Sequence, residues 1–353
     1  MAVNDLSRRY PELGRRLPYL PLADLPTPVD RAALSLAQRD IPLAIKRDDI
    51  TASRYGGNKV RKLEYLLQEA RDQGAERVAT FGTVASHHAL ATAIFAAKTG
   101  FACTCFLSHQ SKYPGVGDAL RVHQSIGTDI VRFGGRDTDV EKAQRDHLAG
   151  SKAFIVPMGG SSPRGTLGYV NAGLELAAQI EAGEAKHPER IYIALGTVGT
   201  AAGLALGLAL AELDTEINAV AVSADEYSGE HLLRRMITDT AALMHAADAS
   251  MADDVAERVN VVRRDSFFGP GYGKTDETTE RAIGIAREQL GLRLEHTYTG
   301  KAMACMISDL EAGYDGRVLF WNTYNSRPLG IDRRAPPDLA RMPEEFARYF
   351  DDG

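Results

Sequence analysis

The feature that most constrains the fold of this chain is an alternation of short apolar runs with longer segments of helical spacing. The apolar runs have strand length and lie at residues 78–81, 102–107, 130–133, 154–157 and 191–195. The segments that follow them carry apolar residues at helical spacing, at about 86–98, 118–125, 139–149, 166–182 and 200–213. Strands that alternate with helices form parallel sheets covered by helices. The pattern predicts an α/β protein that binds its ligand beyond the carboxyl ends of the strands.

Length, charge and cysteine content exclude several classes of protein. The chain has 353 residues, enough for two domains, and 44% of them are hydrophobic. Its net charge of -6 argues against a nucleic-acid-binding surface. The first 16 residues contain no apolar signal region, and the longest apolar run, 201–211, is too short to span a membrane. Three cysteines make no disulfide framework, so we expect a soluble cytoplasmic protein without nucleic-acid or membrane partners.

A glycine turn delivers one lysine to the start of a helix. Gly56-Gly57-Asn58-Lys59 precedes a segment in which Lys62 and several apolar residues keep helical spacing. The helix N-terminus and the adjacent cations disfavour the charged form of Lys59, so an amine nucleophile becomes possible there. Taken alone, the pattern is equally typical of a basic helix start on a solvated face.

A second glycine turn follows the apolar run that ends at residue 195. Residues 195–203 read Leu-Gly-Thr-Val-Gly-Thr-Ala-Ala-Gly and lead into a helical segment of small residues. Backbone N–H groups, hydroxyls and a helix N-terminus together favour an anion. The spacing fits neither a dinucleotide loop nor a Walker loop, and an ordinary strand-to-helix turn explains it equally well.

The turn after the strand at 78–81 presents a serine and two histidines at a helix start. Ser86 has an obvious role as the helix N-cap. His87 and His88 are adjacent in sequence, and adjacent helical side chains diverge by about 100°. We therefore expect no shared metal site at these histidines.

Three segments together resemble a known enzyme family. They are Leu-Pro-Thr-Pro-Val at 25–29, Ile-Lys-Arg-Asp-Asp-Ile-Thr at 45–51, and the glycine-lysine turn. They are similar to the start of the pyridoxal-phosphate enzymes related to D-cysteine desulfhydrase and 1-aminocyclopropane-1-carboxylate (ACC) deaminase. The resemblance implies that Lys59 holds pyridoxal phosphate covalently and that Lys62 lies near its phosphate. It further implies phosphate contacts from Thr197, Val198, Gly199 and Thr200.

The resemblance also implies an architecture. Such enzymes have the two-domain fold type II, similar to the tryptophan synthase β-subunit, in which each domain is a mostly parallel sheet covered by helices. We expect a large cofactor-binding domain of residues 1–61 and 169–353, and a small inserted domain of residues 62–168. The same resemblance implies a homodimer.

The serine turn matches the Ser-Asn-His or Ser-Asn-Gln segment of that family. The resemblance implies that Ser86 lies near the substrate carboxylate and takes part in proton transfer. His88 matches the desulfhydrase-like histidine, and His87 replaces an asparagine that contacts the phenolic oxygen of the cofactor. An imidazole N–H can supply that contact, so we expect His87 and His88 beside the substrate. Leu90 stands where the family usually has arginine.

Two tyrosines lie in motifs near the C-terminus. Residues 268–273 resemble the Gly-Pro-x-Tyr-Gly segment of the family, and residues 295–303 resemble its Tyr-x-Gly-Lys-x-Met segment. The resemblance implies that Tyr272 and Tyr298 reach the active site, where a phenol can move a proton. Without it, they would be a loop-packing aromatic and a strand residue. Lys301 has no predicted catalytic role.

Thr299 is the residue that favours one reaction type. The ACC deaminases carry a glutamate at this position, which keeps the pyridine nitrogen of the cofactor protonated. The desulfhydrase-like members carry threonine, a neutral partner that suits β-elimination of a good leaving group. Glu295 lies four residues away and is not expected to substitute for that glutamate.

The apolar strand near 318–321 ends in a segment that departs from the family. The family usually continues with His-Thr-Gly-Gly, whereas this chain has Asn322, Tyr324 and Asn325 in place of the histidine and both glycines. Large side chains there should change the shape of the pocket, and we expect Tyr324 beside the substrate.

The sequence thus predicts a pyridoxal-phosphate-dependent lyase. The expected reaction is α,β-elimination from a small, β-substituted amino acid, as in D-cysteine desulfhydrase, with the D configuration among those open to the substrate. Three alternatives stay open: ACC deaminase-like ring opening, β-replacement by an added nucleophile, and a regulatory protein that binds the cofactor without turnover.

Overall fold

The computed structural model describes residues 3–110, 115–134, 142 and 146–350. Its strands are β1 (Val29–Leu36), β2 (Arg39–Lys46), β3 (Arg77–Thr83), β4 (Ala102–Ser108), β5 (Asp129–Arg132), β6 (Ala153–Ile155), β7 (Arg190–Leu195), β8 (Glu216–Ala221), β9 (Val261–Arg264) and β10 (Val318–Trp321). Its α-helices are α1 (Asp5–Arg9), α2 (Pro11–Arg16), α3 (Lys59–Asp72), α4 (His87–Thr99), α5 (Val116–Ser125), α6 (Pro163–Glu181), α7 (Gly199–Leu210), α8 (Asp225–Ser228), α9 (Glu230–Ala247), α10 (Glu277–Leu290) and α11 (Thr299–Glu311).

The chain forms two compact units. The first runs to Tyr65 and continues from Ser161 to Ser326, and the second comprises Leu66–Gly160 and the chain from Arg327 onward. The segment after residue 326 was expected in the large domain, but it packs with the second unit. The reason is a set of local contacts: Tyr349 donates a hydrogen bond of 2.9 Å to the carbonyl of Gln110, and Phe346 packs edge-on against His109.

The first unit is built on a six-stranded sheet of order β1-β2-β10-β7-β8-β9. Its pairings are parallel except for β1 with β2. Alternate residues of the central strands face opposite sides. Ile193 and Trp321 belong to a core shared with α6, α7 and α9, whereas Tyr192 and Phe320 belong to a core shared with α10 and α11. Helices therefore cover both faces, as parallel strands require.

The second unit is built on a four-stranded sheet of order β5-β4-β3-β6, and every pairing in it is parallel. Phe81 of β3 stacks on Phe106 of β4 with ring centroids 4.7 Å apart. The alanine-rich α4 packs against these strands with most of its side chains buried. The free thiols of Cys103 and Cys105 are buried in β4.

These sheets confirm the predicted α/β class. The strands predicted at 78–81, 102–107 and 191–195 correspond to β3, β4 and β7. The helix predicted around 139–149 falls mostly outside the described residues. The antiparallel hairpin of β1 and β2 was not foreseen, and nor were β8 and β9.

Within the ranges that the structure describes, no helix is both long and apolar enough to cross a membrane.

Glycines let three helices of the first unit approach closely. A Cβ atom on Gly168 of α6 would overlap the carbonyl oxygen of Arg61 in α3. A Cβ on Gly203 of α7 would lie 2.7 Å from Cβ of Tyr169 in α6, and one on Gly207 would lie 2.9 Å from Cα of Gly173. Real Cβ atoms do not approach so closely, so only glycine permits this spacing. The N-termini of α3 and α7 are thereby held by a common packing partner, α6.

Candidate active site

The glycine-lysine turn is fastened to the carboxyl end of β10. The backbone N–H of Asn58 donates to the carbonyl of Thr323 at 3.1 Å, and the N–H of Gly56 donates to Oδ1 of Asn325 at 2.7 Å. Gly57 has a φ of 95°, and a Cβ atom there would lie 2.9 Å from the same Thr323 carbonyl. Both the backbone conformation and the close approach require glycine at this position.

Asn325 has a role that the sequence did not indicate. The replacement of glycine by asparagine was expected to reshape the pocket, and that stays a prediction. In the structure, Asn325 is buried and its amide oxygen accepts a hydrogen bond from the N–H of Gly56. The side chain thus anchors the lysine turn.

Lys59 is the first residue of α3 and is partly buried. Burial lowers the pKa of its amine to about 8, because the charged form loses hydration. The neutral amine is therefore more populated near neutral pH than in an exposed lysine, whose pKa is about 10.4. Of the adjacent cations that were expected to contribute, Arg61 does not, because its guanidinium is held and neutralised by two carboxylates.

These carboxylates belong to a buried network of two cations and two anions. The Arg61 guanidinium donates to Asp48 at 2.8 and 3.0 Å and to Glu175 at 2.9 Å, and Nζ of Lys46 donates to Glu175 at 2.6 Å. Burial alone would raise the pKa of Glu175, but Arg61 and Lys46 bring it down to about 2. The four charges cancel, and removing one partner of such a network typically costs about 3–5 kcal/mol.

The same network reaches β10 and α6. Oδ2 of Asp48 accepts hydrogen bonds from Nε1 of Trp321 at 2.8 Å and from the hydroxyl of Tyr169 at 2.7 Å. The network therefore connects the start of α3, directly after the lysine turn, to α6 and β10 through hydrogen bonds. This charged network was not predicted from the sequence, although the charged residues at 46–49, at the end of an apolar strand, were a visible signal.

The second glycine turn lies beside this lysine turn. Nζ of Lys62 donates to Oγ of Ser161 at 3.1 Å, and Ser161 donates to Oγ1 of Thr197 at 2.8 Å. The side chain of Asn58 donates to Oγ1 of Thr200 at 3.1 Å. The structure thus brings the predicted lysines and phosphate-loop threonines together, and it adds Ser161 to them.

The residues around the start of α7 fit a phosphate group. Val198 occupies the N-cap and offers no side-chain acceptor to the helix amides. A Cβ on Gly199 would lie 2.9 Å from Oγ of Ser161 and from Oγ1 of Thr166, and the latter is buried without a hydrogen-bond partner among the described residues. Burial and the charge of Lys59 hold the pKa of Lys62 well below its usual range. Helix amides, hydroxyls and a buried lysine form the donor set that an anion requires.

The two tyrosines meet each other beside the same turn. Their hydroxyl oxygens lie 2.6 Å apart, and their rings pack edge to face. A Cβ on Gly196, the first residue after β7, would lie 2.7 Å from the ring of Tyr298. Tyr298 is partly buried and directly precedes α11. It is therefore not a strand residue, which was the role expected for it without the family resemblance. Tyr272 is exposed in the loop between β9 and α10.

Thr299 is the first residue of α11 and is hydrogen-bonded to Glu295. Its hydroxyl donates to the Glu295 carboxylate at 3.2 Å and accepts from the Glu295 N–H at 3.2 Å. The same carboxylate accepts from the backbone N–H groups of Thr297, Tyr298 and Thr299. The Glu295 carboxylate, which was not expected to substitute for the family's glutamate, therefore contacts Thr299 directly.

Ser86, in the second unit, caps α4 as the sequence predicted. Its Oγ accepts from the N–H of Ala89 at 3.2 Å, and a Cβ on Gly82 would lie 2.6 Å from that oxygen. His88 is buried, and its Nε2 lies 3.0 Å from Oγ1 of Thr80. Because that hydroxyl donates to the carbonyl of Val156, it accepts from Nε2–H of His88.

The remaining predicted positions lie at element ends or in a core. His87 is the first residue of α4, and Leu90 is buried within that helix. Asn322 directly follows β10 and is buried, and its amide nitrogen has no hydrogen-bond partner among the described residues. Tyr324 is partly buried, with the Arg293 guanidinium 5.9 Å from its ring centroid.

Comparison with known proteins gives a consistent result. The family described as pyridoxal-phosphate dependent enzyme matches residues 20–323. The D-cysteine desulfhydrases of Yersinia enterocolitica and Salmonella newport are 34% and 33% identical, each across 87% of this chain and 94% of the relative. A solved structure described as an ACC deaminase homologue superimposes with a TM-score of 0.74 at 28% identity, covering 92% of this chain and 95% of that one. A pyridoxal 5'-phosphate-dependent aspartate racemase, 12% identical, shares the fold with a TM-score of 0.58, covering 96% of this chain and 98% of its own.

The family match spans most of the chain and includes both glycine turns. The predicted fold class and the predicted cofactor are confirmed by it and by the relatives. This chain belongs to the pyridoxal-phosphate-dependent enzyme family.

Proposed function

We propose that the chain is a lyase that catalyses α,β-elimination of a small amino acid with a leaving group on its β-carbon. D-cysteine is the first candidate, because the D-cysteine desulfhydrases are similar over 87% of the chain. The observation that carries the proposal is the hydrogen-bonded connection between the lysine turn and the phosphate loop, through Asn58 to Thr200 and Lys62 to Ser161. With D-cysteine and water, the products are sulfide, ammonia and pyruvate.

The proposed roles follow the sequence analysis. Lys59 holds the cofactor, and Ser86, Tyr272 and Tyr298 take part in proton transfer. Contacts to the cofactor come from Lys62, His87, Thr197, Val198, Gly199, Thr200 and Thr299. Contacts to the substrate come from Ser86, His87, His88 and Tyr324. We add Ser161 and Thr166 to the phosphate contacts, because both hydroxyls lie beside Gly199.

The chemistry of these side chains suits an elimination. When bound, pyridoxal phosphate supplies an electron sink for the pair of electrons released at the α-carbon. The Lys59 amine, with a pKa of about 8, is suited to accept the α-proton near neutral pH. The hydrogen-bonded phenols of Tyr272 and Tyr298 can pass a proton to the departing sulfur as the Cβ–S bond breaks.

A substrate panel tests the proposal. The purified protein, loaded with pyridoxal phosphate, is incubated with D- and L-cysteine, D- and L-serine and ACC, and sulfide, ammonia and keto acid are measured. We expect D-cysteine to give all three products in equal amounts. Release of no product from any compound would contradict the lyase proposal and favour a regulatory protein that binds the cofactor. A new amino acid formed with an added thiol would indicate β-replacement.

Lys59→Ala is expected to abolish turnover and the borohydride-fixed attachment of the cofactor. Alanine at the helix start removes the amine and leaves the glycine turn, whose anchoring contacts are made by Gly56 and Asn58. Peptide mass spectrometry after borohydride reduction measures the attachment. Lys98→Ala, on an exposed lysine of α4, is the control. Attachment that persists in Lys59→Ala would refute the assignment.

Ring opening of ACC is the second candidate. Two observations favour it: the similarity to a solved ACC deaminase homologue and the contact between the Glu295 carboxylate and the Thr299 hydroxyl. A carboxylate next to the pyridine nitrogen would strengthen the electron sink that ring opening requires. Formation of ammonia and 2-oxobutanoate from ACC in the panel would support this candidate.

The proposal also covers the domain organisation, the oligomeric state and the cellular compartment. We propose a cytoplasmic homodimer in which the domain of residues 62–168 is inserted into the cofactor-binding domain. The three cysteines are free and buried, which suits a reducing compartment. Light scattering of the purified protein tests the dimer, and a monomer mass near 38.3 kDa would exclude it.

A further inference from the structure

Lys301 is a buried cation in an unfavourable place. It lies in the first turn of α11, and its side chain is fully buried. The positive end of the helix dipole repels a cation there, and burial removes its hydration. A lysine is retained at such a position only if other groups compensate both effects.

The compensating groups are carbonyls of the loop between β9 and α10. Nζ of Lys301 donates to the carbonyl of Phe268 at 2.6 Å and to that of Gly271 at 3.1 Å. It also lies 5.3 Å from the centroid of the Phe268 ring. Burial lowers the pKa of Lys301, while the carboxylates of Asp276 and Glu295 oppose that shift. Two main-chain carbonyls of a single loop thus replace the water molecules that would otherwise hydrate the Lys301 amine.

This loop needs an external anchor. Gly269, Gly271 and Gly273 have φ values of 65°, 140° and 69°, which glycine adopts readily and which leave the backbone adaptable. Most residues from 269 to 275 are exposed, so side-chain burial contributes little to fixing the loop. Two hydrogen bonds from a charged donor are a strong constraint by comparison.

The anchored carbonyl of Gly271 directly precedes Tyr272. The hydroxyl of Tyr272 lies 2.6 Å from that of Tyr298, which directly precedes α11. Lys301 and Tyr298 therefore hold the loop from the same helix start, one at the backbone and one at the tip of the side chain.

We propose that Lys301 is a positioning residue that fixes the loop carrying Tyr272 and so keeps its phenol against Tyr298. The inference rests on the proposed function, in which these phenols take part in proton transfer, and extends it to a residue outside the reacting groups. Lys301 acts through the loop backbone and does not itself exchange a proton with the substrate.

Limited trypsin digestion tests the anchor without using activity. Lys274 is exposed in the same loop and provides a cleavage site. In Lys301→Met, which keeps the aliphatic stem and removes the donors, we expect cleavage after Lys274 to accelerate by about tenfold or more. Lys98→Met, an exposed lysine of α4, should leave that rate unchanged. An unchanged rate in a folded Lys301→Met protein overturns the proposal.

A double-mutant cycle tests the catalytic consequence with D-cysteine. Tyr272→Phe should lower kcat by about a hundredfold or more if its phenol moves a proton. Lys301→Met should lower kcat by about tenfold or more, with a smaller change in KM, and should add no further loss to Tyr272→Phe. A fully multiplicative loss in the double variant overturns the proposal, since Lys301 would then act independently of Tyr272.

Two further results keep the tests separate. If Lys301→Met does not fold, Lys301→Gln retains an amide donor and should give intermediate trypsin cleavage, and wild-type cleavage in that variant counts against the anchor. If Tyr272→Phe keeps full activity, the proposed role of Tyr272 fails. The rate of cleavage after Lys274 still decides whether Lys301 holds the loop.

Discussion

Ser86 joins a structural role to a proposed chemical one. Its Oγ caps α4 by accepting the N–H of Ala89. The neighbouring Gly82 leaves room for this side chain, because a Cβ atom at Gly82 would lie 2.6 Å from both Cβ and Oγ of Ser86. A cap explains why a serine occurs here but not why it would affect turnover, so the two roles can be separated by substitution.

We expect Ser86→Gly to lower turnover of D-cysteine by about a hundredfold or more, as for a lost proton-transfer group. Glycine is a tolerated N-cap that costs only a few tenths of a kcal/mol, about the resolution of a urea unfolding curve. Steady-state kinetics and urea unfolding of the variant measure both effects. Wild-type turnover in the stable variant would leave only the capping role.

The proposed contact between Thr299 and the cofactor can also be tested by a single substitution. Thr299→Val keeps the branched shape and removes the hydroxyl that contacts Glu295. We expect a changed visible absorbance of the bound cofactor and a turnover reduced by about tenfold, the equivalent of one hydrogen bond. Thr297→Val is the matched control, because Thr297 contacts Glu295 through its backbone N–H. Identical spectra for both variants and the wild type would show that the Thr299 hydroxyl does not contact the cofactor.

The site was predictable from sequence where short motifs carry it. The lysine turn and the phosphate loop are each contiguous, so Lys59 and Thr200 could be named before their proximity was known. Arg61 and Glu175 are 114 residues apart, and no local pattern links them. The anchoring role of Asn325 was also hidden, because it depends on a backbone N–H that the fold brings near.

At the scale of elements, the packing of α6 against α7 positions the phosphate loop. Thr166 and Gly199 lie in the first turns of these helices and contact each other, and Gly203 continues the contact one turn later. The carbonyl of Thr166 lies where a Cβ of Gly203 would be. Any side chain at Gly203 must therefore push the helices apart and shift the hydroxyl of Thr166 away from the loop.

Gly203→Ala should destabilise the protein by about 1–3 kcal/mol through overpacking and weaken the binding of pyridoxal phosphate. Gly284→Ala is the matched control in α10, because a Cβ there meets no atom within 4 Å. The control should instead stabilise the helix by about 0.5–1 kcal/mol. Urea unfolding and cofactor titration distinguish the two variants. A Gly203→Ala protein that is as stable as the Gly284→Ala protein and binds the cofactor as tightly would contradict the role of this helix contact.

The elements that sequence reasoning missed share a physical reason. β1 and β2 mix buried and exposed positions and are interrupted by charged residues, so their apolar pattern is weak. They are stabilised by pairing with each other, and β2 also pairs with β10, where Leu43 lies opposite Val318 from the far end of the chain. The strands β3, β4 and β7 are buried in continuous apolar runs and were recognisable for that reason.

At the scale of the whole molecule, charge burial is unevenly distributed. Among the described residues, the buried lysine, arginine, aspartate and glutamate side chains all lie in the first unit. Four charged residues lie in the first two turns of α3: Lys59, Arg61, Lys62 and Glu64. The stability of the first unit must therefore depend on pH through these groups.

Glu64 makes that dependence measurable. Its carboxyl is buried, and burial raises its pKa to about 7, although the N–H groups of Leu22 and Ala23 donate to it. In an unfolded chain the pKa is about 4.3. The folded state thus binds the proton more tightly, so the contribution of Glu64 to stability is complete below about pH 4.3 and is lost as pH rises through 7.

Glu64→Gln should remove this pH dependence, because the amide oxygen can still accept from both N–H groups and cannot ionise. We expect the variant to match the wild type near pH 4.5 and to exceed its unfolding free energy by up to about 3 kcal/mol at pH 8. The chain contains one tryptophan, Trp321, whose fluorescence reports urea unfolding of the first unit. Glu181→Gln, on an exposed glutamate of α6, is the control. An unfolding free-energy difference that is the same at both pH values would show that folding does not raise the pKa of Glu64.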